Sequence, residues 1–182
     1  MHLDLVLQLG YAGLKLVKMI DTYLMVYIIL TRIFELILSK KNTRKLLQEG
    51  AIEYFKFHYK FIVLYHIIFI LFFFVKSLSN EIINIEYLYV FFVVQILRYK
   101  IIFDLGKYWT TRIIVIDKPL VNTWIFRSLR HPNYLVVFFE VILVCLFFND
   151  FYSLIFFTTI NLILLGVRIF YEEKANKYRR EL

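Results

Sequence analysis

Residues 61–75 form one apolar run without Asp, Glu, Lys or Arg, closed at its ends by Lys60 and Lys76. Further apolar runs cover 22–38, with Arg32 and Glu35 inside, 82–103, with Gln95 and Arg98 towards its end, 134–148, with Glu140 inside, and 151–167. Several are shorter than the ~20 residues a full helical span prefers. Flanking Lys and Arg side chains can reach outward and make up part of the difference. Hydrophobic residues make up 61% of the chain, and only 5 Gly and 2 Pro punctuate its 182 residues. The pattern predicts an all-α polytopic membrane protein with about five transmembrane helices. A membrane barrel needs alternating strands of about ten residues with turn signals between them, and the sequence shows none.

Charge sets the expected topology. The segment 39–60 carries Lys40, Lys41, Arg44, Lys45, Lys56 and Lys60, and the segment 104–133 carries Lys107, Arg112, Lys118, Arg127 and Arg130. The tail adds Lys174, Lys177, Arg179 and Arg180, whereas the opposite side has only Lys15, Lys18 and Lys76. By the positive-inside rule both long loops and the C-terminus face the cytoplasm and the N-terminus faces outward. The net charge of +8 is thereby accounted for without nucleic acid. Residues 1–21 read as an N-terminal extension forming an interfacial helix; a sixth span is weakened by Asp4 and Gln8. The single Cys145 provides neither a disulfide framework nor a cysteine metal site, and no His-x-x-x-His pair occurs among the four His, so no metal is expected.

Two polar clusters stand out. Arg130-His131-Pro132-Asn133-Tyr134 precedes the fourth apolar run, and Arg168 with Glu172 and Glu173 follows the fifth. His131 and Arg168 are equidistant from the Asn149-Asp150 turn, so an antiparallel helical hairpin returns both to one depth. Pro132 suits the first turn of a helix, whose free N–H groups favour an anion. Arg130 could pair a carboxylate with two prongs, and His131 could donate a hydrogen bond. Arg168 and Glu172 share a helix face. Two carboxylates at a helix C-terminus oppose the helix dipole and could instead hold a ribose diol or a cation. The same residues also read as a basic flank, an interfacial Tyr134 and a solvated tail.

Glu140 lies inside the fourth run, where an ionisable group usually faces a partner or a cavity. It has no opposite charge near it along its own helix and is a candidate for lining an acceptor channel. Arg32 and Glu35, three apart, could simply pair with each other.

At these residues the chain resembles the isoprenylcysteine carboxyl methyltransferase family, in its small bacterial members. The family pattern is Arg-His-Pro-x-Tyr opening one membrane helix and Arg-x-x-x-Glu-Glu closing the next, and both are present. The likeness extends to Arg32-Ile33-Phe34-Glu35-Leu36, Ser39-Lys40-Lys41-Asn42, Gly50-Ala51-Ile52-Glu53, His58-Tyr59, residues 95–99 and residues 105–114, covering about 22–176. Related sequences have Gly-Pro-Tyr shortly before Arg-His-Pro, where this chain reads Trp124-Ile125-Phe126; the substitution predicts a loop without the tight turn.

The resemblance implies a methyltransferase domain over 22–182, with its catalytic part at about 95–176. It implies S-adenosyl-L-methionine as cofactor, bound at the cytosolic face by the last two helices, and a multi-pass protein of the bacterial cell membrane. The expected cofactor-binding residues are Arg130, His131, Tyr134, Glu172 and Glu173, and the expected catalytic residues are Arg168 and Glu140. The acceptor expected from the resemblance is a lipophilic small molecule entering from the bilayer, with membrane lipids as surroundings. It is prenylated, alkylpyrone-like or lipid-like, and methylated on a carboxylate or acidic hydroxyl. Two other classes fit the same residues: a membrane reductase using NADPH, and a non-catalytic membrane relative.

Overall fold

The computed structural model describes residues 2–79, 83–117, 121 and 123–180, and side chains within 19–177 of these. Six helices, α1 (His2–Gln48), α2 (Lys56–Ser77), α3 (Glu86–Leu105), α4 (Trp124–Ser128), α5 (Pro132–Phe147) and α6 (Phe151–Arg180), are joined by a 3₁₀ turn at Gly106–Tyr108 and two short strands, β1 (Ile52–Tyr54) and β2 (Ile113–Val115). The all-α reading holds, and among the described residues three segments are long and apolar enough to cross a membrane, Met19–Gln48, Lys56–Ser77 and Phe151–Lys177. At 16 residues, α5 is about 24 Å long, under the ~30 Å hydrocarbon core. Gln95 and Arg98 break the apolar run of α3 without breaking the helix, and both are buried.

Three boundaries differ from the sequence expectation. Helix α1 runs unbroken from His2, so no helix end separates residues 1–21 from the rest. Its C-terminal end continues through the basic residues to Gln48, and α6 runs past Val167 to Arg180. Hydrophobicity marks where a helix leaves the apolar layer; helical hydrogen bonding need not stop there. Ile82, Lys118 and Pro119, placed by sequence in a span and a loop, lie outside the described residues.

Two chain reversals, after α1 and after α5, use one local device. At the end of α1, Gly50 N donates to Leu47 O (3.2 Å) and Ala51 N to Leu46 O (3.0 Å), with Gly50 at φ 90°. At the end of α5, Asn149 N donates to Leu146 O (3.0 Å) and Asp150 N to Cys145 O (3.1 Å), with Asn149 at φ 49°. These are paired i→i−3 and i→i−5 closures of a helix C-terminus, which require a left-handed residue and so favour Gly or Asn. Asp150 then caps α6, its Oδ1 accepting from Ser153 N at 2.9 Å. The hairpin anticipated at 149–150 is therefore present.

The strands pair antiparallel, Ile52 with Val115, Glu53 with Ile114 and Tyr54 with Ile113. Ile113 and Val115 bury against Ala175 of α6. Phe55, at φ 49°, stacks on Tyr171 with ring centroids 4.6 Å apart. The three basic segments of the sequence thus form one cap at one end of the helices. At the other end an aromatic core joins α2, α5 and α6 through Phe69, Phe73, Phe148 and Phe157.

Candidate active site

The α5–α6 hairpin delivers the two polar clusters to each other beneath the cap. Pro132 occupies the first turn of α5 and His131 is its N-cap. The match across the hairpin lies about one turn further along α6 than simple symmetry places it. His131 Nε2 is 3.3 Å from Glu173 Oε1, and Nδ1 is 4.0 Å from Glu172 Oε1. Arg130 reaches Glu173 at 3.2 Å. His131 stacks on Tyr134, with centroids 5.5 Å apart and an interplanar angle of 19°.

Arg168 and Glu172, which share a face of α6, are linked through α5. Arg168 Nε donates to Tyr134 Oη at 3.0 Å, and Tyr134 Oη donates to Glu172. The guanidinium also sits over the Tyr134 ring, 5.5 Å from its centre. Arg168 is 8% exposed, and among the described residues no carboxylate lies within 4.0 Å of it. A buried cation without an anion is costly unless something else satisfies it.

Two cavities meet at this residue. A cleft of about 810 Å³ runs under the cap and is lined by Arg130, His131, Tyr134, Arg168, Glu172 and Glu173. A second cavity of about 180 Å³ extends among α1, α2 and α6, with a mainly apolar lining that includes Ile62, Val63, Ile70 and Leu164. Trp109, Asn133, Tyr134 and Arg168 line both. Trp109 Nε1 and Asn133 Oδ1 are buried without a hydrogen-bond partner, which leaves one donor and one acceptor free at the shared wall. Sequence reasoning did not single out Trp109 or Asn133. Asn133 was concealed as the variable position within Arg-His-Pro-x-Tyr, and Trp109 lay in a loop of unassigned shape.

The altered 124–126 segment is a short helix rather than an open loop. Ile125 is 1% exposed and packs with Ile101 and Val136, while Phe126 lines the cleft. An apolar anchor therefore holds this wall in place of a tight turn.

Glu140 is not on the cleft. It borders a small void of about 20 Å³ and belongs to a buried ionic cluster uniting three helices. Arg32 donates to Glu35 (2.8 Å) and Glu140 (2.6 Å). Arg98 donates through Nε and Nη2 to Glu35 and through Nη1 to Glu140, and Gln95 donates to Glu140 at 2.5 Å. The charge missing along α5 is supplied by α1 and α3, a partnership invisible to spacing within one helix. Arg32 and Glu35 do pair, as part of the larger set.

Fold and site together define a class: a polytopic helical membrane protein whose last two helices hold a polar cleft against an apolar cavity. Residues 87–177 match the Isoprenylcysteine carboxyl methyltransferase (ICMT) family, and the chain belongs to that family of membrane methyltransferases. An uncharacterized protein of Bacillus subtilis (strain 168), YpbQ, is 34% identical over 162 residues, covering 84% of this chain and 94% of its own. An uncharacterized protein of Haemophilus influenzae is 29% identical over 155 residues, covering 81% of this chain and 90% of its own. No solved structure matches the chain.

Proposed function

We propose that the protein is an S-adenosylmethionine-dependent O-methyltransferase acting on a carboxylate or acidic hydroxyl of a lipophilic acceptor at the cytosolic membrane face. The observation that carries this reading is Arg168, a buried guanidinium without a carboxylate partner on the wall between a polar cleft and an apolar cavity. An anionic head met there by Arg168 could keep its tail in the apolar cavity while facing the cleft.

The cleft residues suit the cofactor's polar groups. Arg130 and His131 would hold its carboxylate; Glu172 would hold the ammonium or a ribose hydroxyl, with Glu173 beside it. These opposite charges face one another across the hairpin, so each has a partner to exchange for the ligand's own. Tyr134 stacks on His131 and fixes Glu172, and the free Trp109 donor and Asn133 acceptor are available at the shared wall.

When bound, the cofactor supplies an electrophilic methyl group on a sulfonium. The protein's contribution is then chiefly alignment. Arg168 orients the acceptor anion, and the buried Trp109 side chain keeps water from the wall. An acceptor already ionised near neutral pH needs no strong general base. Glu140 acts by position, through the cluster that holds α1, α3 and α5 in register around the cavity.

Calorimetric titration of the purified protein with S-adenosylhomocysteine and with NADPH tests the cofactor. Binding of S-adenosylhomocysteine is expected; binding of NADPH alone would reject the assignment in favour of a reductase. Labelled-methyl transfer into a total lipid extract, with mass spectrometry of the product, tests the reaction, and absence of any labelled lipid ester or ether would count against it.

A further inference from the structure

A second polar cavity, distinct from the cleft, lies where α1 leaves the apolar layer. It has a volume of about 630 Å³. Lys40, Thr43, Arg44 and Leu47 line it from one face of α1, and Glu53, Tyr59 and Arg112 close it from β1, α2 and the lead into β2. Its charges do not balance. Arg112 pairs with Glu53 at 2.8 Å, and Lys56 approaches the same carboxylate at 3.9 Å. Lys40 and Arg44 have no carboxylate within 4.0 Å among the described residues. The groove therefore offers two cations in surplus.

A second, independent observation is the unpartnered hydroxyl of Thr43. A buried threonine inside a helix usually donates its hydroxyl to the carbonyl one turn back. Thr43 is 7% exposed, lines the groove, and its Oγ1 has no hydrogen-bond partner. Ser39, one turn earlier on that face, is already engaged with Thr111, at 2.7 Å to its hydroxyl and 2.8 Å from its N–H.

Depth selects the ligand. Residues 22–38 are the apolar part of α1, and the basic run begins directly after them at Lys40 and Lys41, the level at which headgroups of a bilayer lie. Leu36 and Tyr59 border both this groove and the apolar cavity beside it, so an apolar continuation is at hand for a chain attached to the head. We infer that the groove is a binding site for the phosphodiester headgroup of an anionic membrane lipid, held by Lys40, Arg44 and the Thr43 hydroxyl. It would bind such a head whether or not the cleft transfers a methyl group.

The test uses the full chain in neutral detergent, titrated with phosphatidylglycerol and followed by native mass spectrometry. Replacing Lys40 and Arg44 together by Gln should weaken binding by about 25-fold, roughly fivefold per cation. The off-face pair Lys41→Gln with Lys45→Gln should change it by less than about twofold, because those residues do not line the groove. Thr43→Val should weaken binding by about tenfold while leaving the lipid-free protein at least as heat-stable, since it removes an unsatisfied hydroxyl. Equal losses in the two double variants would mean diffuse attraction and overturn the site. Unchanged lipid affinity in Thr43→Val would remove its assigned ligand contact. Inorganic phosphate raising the melting temperature as much as the lipid does would identify a soluble anion and overturn the lipid assignment.

Discussion

Tyr134 is the residue on which the site turns. Its hydroxyl accepts from Arg168 and donates to Glu172, so it ties the wall shared with the apolar cavity to the carboxylates of the polar cleft. Arg168→Met is expected to lower kcat/KM for methyl transfer by about ten- to a hundredfold, the range for losing a charge-assisted hydrogen bond, with S-adenosylhomocysteine affinity changed far less. Arg168→Lys should restore little, because lysine has no Nε–H to reach Tyr134 and no planar fork. His131→Ala and Glu172→Gln carry the opposite expectation: affinity for S-adenosylhomocysteine should fall by about tenfold or more, read by calorimetry. Unchanged affinity in both would defeat the assigned cofactor site. The sequence already placed Arg130, His131, Tyr134, Arg168, Glu172 and Glu173 together, because a hairpin's depth follows from helical rise alone. It could not show that Tyr134 intervenes between Arg168 and Glu172, since that depends on how the two helices are rotated about their axes.

Individual elements are held by two devices of different kinds. The ionic cluster of Arg32, Glu35, Arg98 and Glu140 ties α1, α3 and α5 together within the apolar layer. Glu140→Ala should destabilise the protein by about 3–5 kcal/mol, since it leaves guanidinium groups buried with too few anions; chemical unfolding in detergent would measure it. Replacing Glu140 and Arg32 together by Leu should cost less than Glu140→Ala, because the charge balance is kept. At the far end, Asp150 caps α6 and meets Lys76 at 2.5 Å. Burial pushes its carboxyl upward, but the hydrogen bonds from Lys76 and Ser153 outweigh this and hold it below the ordinary Asp value. Its contribution is therefore present above the unfolded value of about 3.9 and is lost as pH falls through the folded value. Asp150→Ala should cost about 1 kcal/mol at neutral pH, and melting curves of the two proteins should draw together as pH falls below the ordinary Asp value. Asp150 and Asn149 were legible as a turn. The partners of Glu140 were not, because they lie on other helices far away in sequence.

Across the whole molecule, charge asymmetry and the cap tell one story. Segments 39–60 and 104–133 and the tail were grouped by their lysines and arginines, and the folded chain brings β1, β2 and the end of α6 together at one end. A green fluorescent protein fused to the C-terminus in a bacterial host should fluoresce, and alkaline phosphatase fused there should be inactive, as a cytoplasmic C-terminus requires; the reverse pattern would invert the proposed orientation. What composition could not disclose was the pairing of two three-residue strands. Each is too short to show alternation, and its stability comes from α6, which lies further along the chain.

That pairing also sets an order of biogenesis. Residues 52–54 can meet 113–115 only after α2 and α3 have been made and returned to the same face, and the sheet is covered only when Ala175 arrives. Contacts so distant along the chain close late. The cleft, too, is completed only when Glu172, Glu173 and Lys177 of α6 have folded back beneath β2, so a chain halted before them lacks both the carboxylates of one wall and the helix that covers the sheet.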